Sequence, residues 1–177
     1  MNKHILDEVA GLYRVIALEP FRRTRGVAFD IFPMQYLKKI DGIDRVMHDN
    51  DALSPGPVDG VARPWYMHTH QQDNLIVLHG VRTVDIYTLA HRTLLTFVVE
   101  PDRIVKNGDL LYEGPAMLVW PEHVFHRIQS GARGSASLNF AVRAPGIDMR
   151  TNFNIYDLDT AANTFRLLRE GFLDQSS

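Results

Sequence analysis

Three histidines carry the residue types and spacing from which chemistry can be built. His68 and His70 form a His-X-His pair, and His126 lies in Trp120-Pro121-Glu122-His123-Val124-Phe125-His126. Side chains two apart on a β-strand share a face, so a strand carrying the pair would project both imidazoles together. The apolar run Leu75-Ile76-Val77-Leu78, ended by Gly80, reads as a buried strand just after them, and His126 sits in a second strand-like run. Two imidazoles from one strand and a third from another are the ingredients of a mononuclear metal site. With eight histidines in the chain, a lone His-X-His on a solvated strand could arise by chance. The third histidine in a similar strand context favours ligation. There is no cysteine, so any metal must be held by imidazole, carboxylate, amide or water, and no disulfide framework exists.

The elements that must position these residues read mostly as strands. Ile5, Val9, Leu12 and Ile16 recur at helical spacing, so a short N-terminal helix is expected over 5–17 and ends before Pro20. Leu12 to Leu18 also fits a strand. Gly26 to Phe32 reads as the first strand of the main domain. Asp49 to Pro64, rich in Asp, Ser, Gly and Pro, is a long loop leading into the His-X-His segment. From residue 65 strands and turns alternate. Thr83 to Leu89 places Val84 and Ile86 on one face, Asn107-Gly108 is a tight-turn dipeptide, and Ser137 to Arg143 alternates again. Residues 152–156 and 164–168 read as a C-terminal β-hairpin extension, with a helix over 161–169 as the competitor. Short strands at regular spacing argue for a sandwich or barrel, the jelly roll being a common solution.

At 177 residues the chain is most simply one domain, 1–177, with an N-terminal extension (1–25), a β-barrel (26–150) and a C-terminal extension (151–177). Nineteen Lys plus Arg against 21 Asp plus Glu give a net charge of -2. That balance offers no electrostatic reason to expect nucleic acid or an anionic membrane as partner. Arg22-Arg23-Thr24-Arg25 is a small basic cluster, read as a solvated edge. No apolar run approaches a membrane span. The N-terminal residues lack the apolar core of a secretory signal, so a cytoplasmic protein is expected.

With these residues in view, the chain resembles the cupin superfamily. The first cupin motif finds its counterpart between Gly60 and Gly80, around His68-Thr69-His70, and the second in Gly114, Pro121-Glu122-His123, His126 and Ser130. The match departs in places. Seven residues separate Gly60 from His68, two separate His70 from Asp73, His123 stands at a glycine position and Ser130 at an asparagine position. The resemblance implies an all-β, antiparallel jelly-roll barrel. It also implies a metal set of His68, His70 and His126 with a fourth donor: Asp73 fits the count to Gly80, and Asn74 fits the count from His70.

Such a set suits one divalent transition metal (Fe, Mn, Ni, Zn or Cu), and residue types alone do not choose among them. Open positions on the metal admit dioxygenation, isomerisation or hydrolysis of a small molecule. The alternatives are a non-catalytic small-molecule-binding cupin, or a nucleotide-sugar 3,5-epimerase-like cupin, which Gln71 to Gly80 followed by Val84-Asp85-Ile86 faintly resembles. The epimerase branch carries a lysine after its first motif histidine, and none occupies 71–80 here. Gln71 and Gln72 are candidates to orient ligands, Trp65, Tyr66 and Trp120 to line a pocket or pack the core, and Glu122 or His123 to serve acid–base chemistry. His4, His48, His79 and His91 read as surface or turn residues. Exposed sheet edges need cover, and a homodimer is the expected assembly.

Overall fold

The computed structural model describes residues 3–176. Fifteen strands follow in chain order: β1 (Ile5–Val9), β2 (Tyr13–Ala17), β3 (Glu19–Thr24), β4 (Val27–Ile31), β5 (Gly42–His48), β6 (Leu53–Ser54), β7 (Trp65–Met67), β8 (Gln71–Tyr87), β9 (Leu95–Glu100), β10 (Arg103–Lys106), β11 (Asp109–Glu113), β12 (Ala116–Trp120), β13 (Phe125–Arg143), β14 (Ile155–Asp159) and β15 (Thr164–Arg169). All pairings are antiparallel. Apart from single 3-10 turns at Met34–Tyr36 and Gly171–Asp174, no helix occurs among the described residues. None is therefore long and apolar enough to cross a membrane.

The frame is the pair β8 and β13, each long enough to serve two groups of neighbours. β8 pairs with β12 through Asp73–Leu75 and with β9 through Arg82–Ile86, while β13 pairs along its length with β8 and also with β5, β6 and β7. Both strands break register near Gly80 and Gly134. Gly80 has φ +72°, and a Cβ there would lie 2.1 Å from the Gly134 carbonyl oxygen, so only glycine lets the two backbones approach this closely. The apolar side chains of Val15, Leu75, Val77, Val84, Ile86, Phe97, Ile104 and Leu118 form the main core. Each is worth about 1.5–3 kcal/mol of burial.

Three sequence expectations are corrected. The N-terminal helix over 5–17 is the hairpin β1–β2, turning at Gly11 with φ +73°. A glycine and the β-branched Val15-Ile16 disfavour a helix there, and pairing of β2 with β12 buries Tyr13, Val15, Ile16 and Ala17. The segment from Gly26 joins Glu19–Thr24 in a separate two-stranded sheet, β3–β4, instead of opening the main one. The jelly-roll-like sheet of thirteen strands does not close into a barrel. Its main path runs β1-β2-β12-β8-β13-β7-β14-β15 and leaves β1 and β15 as edges. The hairpins β1–β2 and β14–β15 occupy the two ends of that path, and β1 and β15 do not pair with each other. The C-terminal hairpin β14–β15 thus extends the main sheet through β7.

Candidate metal centre

The His-X-His segment is not a strand. β7 stops at Met67 and β8 starts at Gln71, so His68, Thr69 and His70 form a bend between them. The bend is pinned by its backbone: the His68 carbonyl accepts from His123 N (2.7 Å), and the His70 carbonyl accepts from Ala144 N (2.9 Å). Period-two logic therefore does not apply, and the two imidazoles part. His68 turns inward and is 3 % exposed. His70 is half-buried, within hydrogen-bond reach of Thr69 Oγ1 through Nδ1 (2.9 Å), with its Nε2 edge beside Gly146.

The structure brings together His68, Asp73 and His126, all buried, with one ligand atom from each lying within 4.8 Å of the others. Asp73 comes from the start of β8 and His126 from the start of β13. Asp73 Oδ2 stands 3.2 Å from His68 Nε2 and 3.8 Å from His126 Nε2. The other carboxylate oxygen, Oδ1, accepts from Gln71 Nε2 (2.9 Å) and Asn139 Nδ2 (2.8 Å). Both imidazoles are oriented from behind: His68 Nδ1 contacts the Asn152 carbonyl and His126 Nδ1 lies 3.2 Å from the Val124 carbonyl. A ring Nδ1–H donated to a backbone carbonyl leaves Nε2 as the free lone pair, the tautomer a metal requires. Asn74, one residue on, faces the opposite side of β8 and bonds Phe140 O and Gln72.

The electrostatics follow from burial and proximity. Burial opposes protonation of His68, but the Asp73 carboxylate beside it more than compensates and raises its pKa. Burial likewise opposes ionisation of Asp73, yet His68, His126 and the Gln71 amide hold its carboxyl well below the usual carboxylate range. His126, with no anion in hydrogen-bond contact, is pushed down to about 4, first by burial and then by the positive charge favoured on His68.

The cluster opens into a cavity of about 250 Å³ lined in part by Tyr66, Trp120, Phe153, Asn139 and Arg82. Trp120 lies tilted 5.1 Å from the His126 ring and Phe153 sits edge-on 5.3 Å from His68. Trp65 instead packs in a satellite core with the Arg127 guanidinium over its ring. Gln72 faces away with Asn74, and His123 is exposed on the outer turn. Of the histidines read as surface or turn residues, His4 lies in a turn but is buried beside Glu19, and His48 lines the cavity from the end of β5. Neither Asn152, which supplies a backbone oxygen from the C-terminal segment, nor Asn139 was expected at the site; a carbonyl contact has no side-chain signature in sequence.

No protein-family model matches the sequence, and no curated protein matches it. Solved structures do. QdtA, a sugar 3,4-ketoisomerase from Thermoanaerobacterium thermosaccharolyticum solved in complex with TDP, superposes with a TM-score of 0.53 at 13% identity, covering 77% of this chain and 84% of that one. The dTDP-4-dehydrorhamnose 3,5-epimerase from Elizabethkingia anophelis gives 0.54 at 9% identity, over 75% and 69%. A dTDP sugar isomerase from Desulfovibrio desulfuricans gives 0.53 at 13%, over 75% and 83%. Identities this low establish shared architecture and not shared chemistry. The chain thus has the cupin-like fold found in nucleotide-sugar ketoisomerases and epimerases, built around a buried His–Asp–His cluster compatible with a divalent metal.

Proposed function

We propose that the protein holds one divalent transition metal on His68 Nε2, Asp73 Oδ2 and His126 Nε2 and acts as an isomerase on a small carbonyl-bearing molecule. The observation that carries the metal is the common aim of the two imidazoles. With each Nδ1 on a backbone carbonyl, two Nε2 lone pairs face one carboxylate oxygen at 3.2 and 3.8 Å, which is repulsive unless a cation lies between them. Those separations suit the edges of a coordination shell with bonds of about 2.0–2.2 Å. Three protein donors leave positions for a ligand, and a metal there supplies a Lewis acid that polarises a carbonyl. The proposal leaves His70 out, because its ring lies against Thr69 and Gly146. Iron, manganese, nickel, zinc and copper all suit this donor set. Isomerisation is favoured over dioxygenation by the architecture shared with ketoisomerases and epimerases.

A second reading is supported by the raised pKa of His68. If the cation between His68 and Asp73 is a proton, the pair is an imidazolium–carboxylate couple suited to general acid–base catalysis in a metal-free, epimerase-like enzyme. The test combines elemental analysis of untagged protein, purified without added metal, with deuterium exchange α to the carbonyl of keto substrates. Stoichiometric metal that His126→Ala loses, with exchange abolished by chelation, is the expected result. Exchange that persists in metal-free protein would establish the second reading. Bound metal without exchange or turnover would mark a non-catalytic binding protein.

Assembly and setting belong to the same proposal. A homodimer is supported by the apolar β3–β4 hairpin, where Phe21 (66 %), Val27 (57 %), Phe29 (51 %) and Ile31 (40 %) are exposed. A cytoplasmic setting is in keeping with a chain free of cysteine.

A further inference from the structure

The cavity continues past the His–Asp–His cluster, and its far wall carries buried polar groups, some without a hydrogen-bond partner among the described residues. The inward faces of β5 and β13 form three rows, with Asp44 opposite Asn139, Val46 opposite Ser137 and His48 opposite Ser135. The first row belongs to the Asp73 end of the cavity, since Asn139 Nδ2 donates to both Asp73 Oδ1 (2.8 Å) and Asp44 Oδ2 (3.1 Å). The other rows meet Arg82, which β8 turns inward with Val84 and Ile86. Arg82 is 1 % exposed, and its Nε donates to Ser135 Oγ and its Nη2 to the Val46 carbonyl, both at 3.0 Å.

No ion pair among the described residues involves Arg82. Burial pushes its pKa down only to about 10, so it remains a cation near neutral pH. His48 beside it is neutral there, held at about 4 by burial and by the Arg82 charge. Among the described residues, three polar atoms of the cavity wall lack a hydrogen-bond partner: His48 Nδ1, Ser137 Oγ and Trp120 Nε1. A buried cation without a counter-charge, flanked by unmatched polar groups, is costly unless something completes it.

We infer that this end of the cavity is an oxyanion subsite in which Arg82, Ser137 and His48 hold the carboxylate of a small organic acid, whose carbonyl or hydroxyl oxygen reaches the His68–Asp73–His126 cluster. For the reacting end this rests on the function proposed above; the carboxylate end stands on Arg82 alone. The single guanidinium charge matches one carboxylate, whereas a phosphate carries nearly twice that charge. The Arg82 guanidinium spans the Val46–Ser137 and His48–Ser135 rows, one to two rows from Asp44–Asn139. Two residues of strand put about 7 Å between the rows. The 250 Å³ volume equals about eight waters at roughly 30 Å³ each. Both dimensions suit an oxo or hydroxy acid of a few carbons.

The test is isothermal titration of wild-type protein with 4-oxopentanoate and 5-oxohexanoate against 4-oxopentanamide and inorganic phosphate, with metal content measured on the same samples. At least one keto acid should bind ten or more times as tightly as the amide, and more tightly than phosphate. Arg82→Lys should erase most of that preference. Ser137→Ala, a milder change should Arg82→Lys fail to fold, should weaken the acid several-fold and leave the amide unchanged. Equal affinity for acid and amide, tighter binding of phosphate, or no binding of either acid at millimolar concentration overturns the subsite. Metal-free protein that keeps the acid preference would refute the metal and leave the subsite standing; metal-loaded protein without the preference would do the reverse.

Discussion

Asp73→Asn removes one charge from the centre of the site while keeping its shape, so its effect can be worked through. In the wild type Oδ1 takes two amide protons, from Gln71 and Asn139, and Oδ2 faces both imidazoles. An asparagine that keeps the two amide bonds must turn its own NH2 toward the two Nε2 atoms, and a metal loses its only anionic donor. In metal-free protein, the protonated His68 loses its counter-ion in a buried setting. Breaking one side of a buried pair costs about 3–5 kcal/mol. For a chain of this size that corresponds to a fall in Tm of roughly 6–20 °C at about 2–4 °C per kcal/mol. The pH dependence has a definite sign. Asp73 has a lowered folded pKa, so its contribution is present above its unfolded value near 3.9 and fades as pH falls through the folded one. His68 has a raised folded pKa, so its contribution is complete below about 6.5 and fades as pH rises through the folded one. The gap between wild type and variant should therefore be widest between about pH 4 and 6.5. Thermal denaturation of chelator-treated protein across pH 4–9 measures it. A variant within about 1 kcal/mol of wild type at pH 5–6, well below the cost of breaking a buried pair, would refute the coupling.

His48 has a depressed folded pKa, so its stabilisation is present above about 6.5 and is lost as pH falls toward about 4. The full shift is worth about 3 kcal/mol, reduced to about half by its partial exposure. Denaturant titrations should show His48→Gln losing less stability than wild type between those pH values, and parallel curves would contradict this. His70→Ala should retain its metal while His126→Ala loses it, as read by elemental analysis of the two proteins prepared side by side; metal loss in His70→Ala would restore His70 as a ligand. Light scattering should give twice the 20.2 kDa chain mass for wild type and a single chain for Phe21→Asp combined with Phe29→Asp. A monomeric wild type would remove the dimer.

The sequence made His68 and His126 legible because imidazoles beside apolar strand-like runs stand out, while the motif counts left Asp73 and Asn74 both open and only their opposite faces on β8 separate them. The separation of His70 from His68 was hidden. It depends on where β7 ends, and that is set by backbone bonds from His123 and Ala144, far along the chain. The N-terminal hairpin was half legible: Ile5, Val9, Leu12 and Ile16 satisfy a helical period while Leu12 to Leu18 also fits a strand, and pairing of β2 with β12 decides for the strand. Arg82 was legible in principle, since the alternation that turns Val84 and Ile86 inward also turns Arg82 inward. His48 follows the same rule with Asp44 and Val46 on β5. Asn152 was out of reach, because its contribution to His68 is a main-chain oxygen.

Everything proposed for this site turns on one divalent metal between His68, Asp73 and His126. Anomalous diffraction from crystals of untagged, metal-containing protein tests it directly. One strong peak is expected about 2.0–2.2 Å from His68 Nε2, His126 Nε2 and Asp73 Oδ2. A peak on His70, or no peak with His68 and Asp73 joined by a direct hydrogen bond, would contradict it.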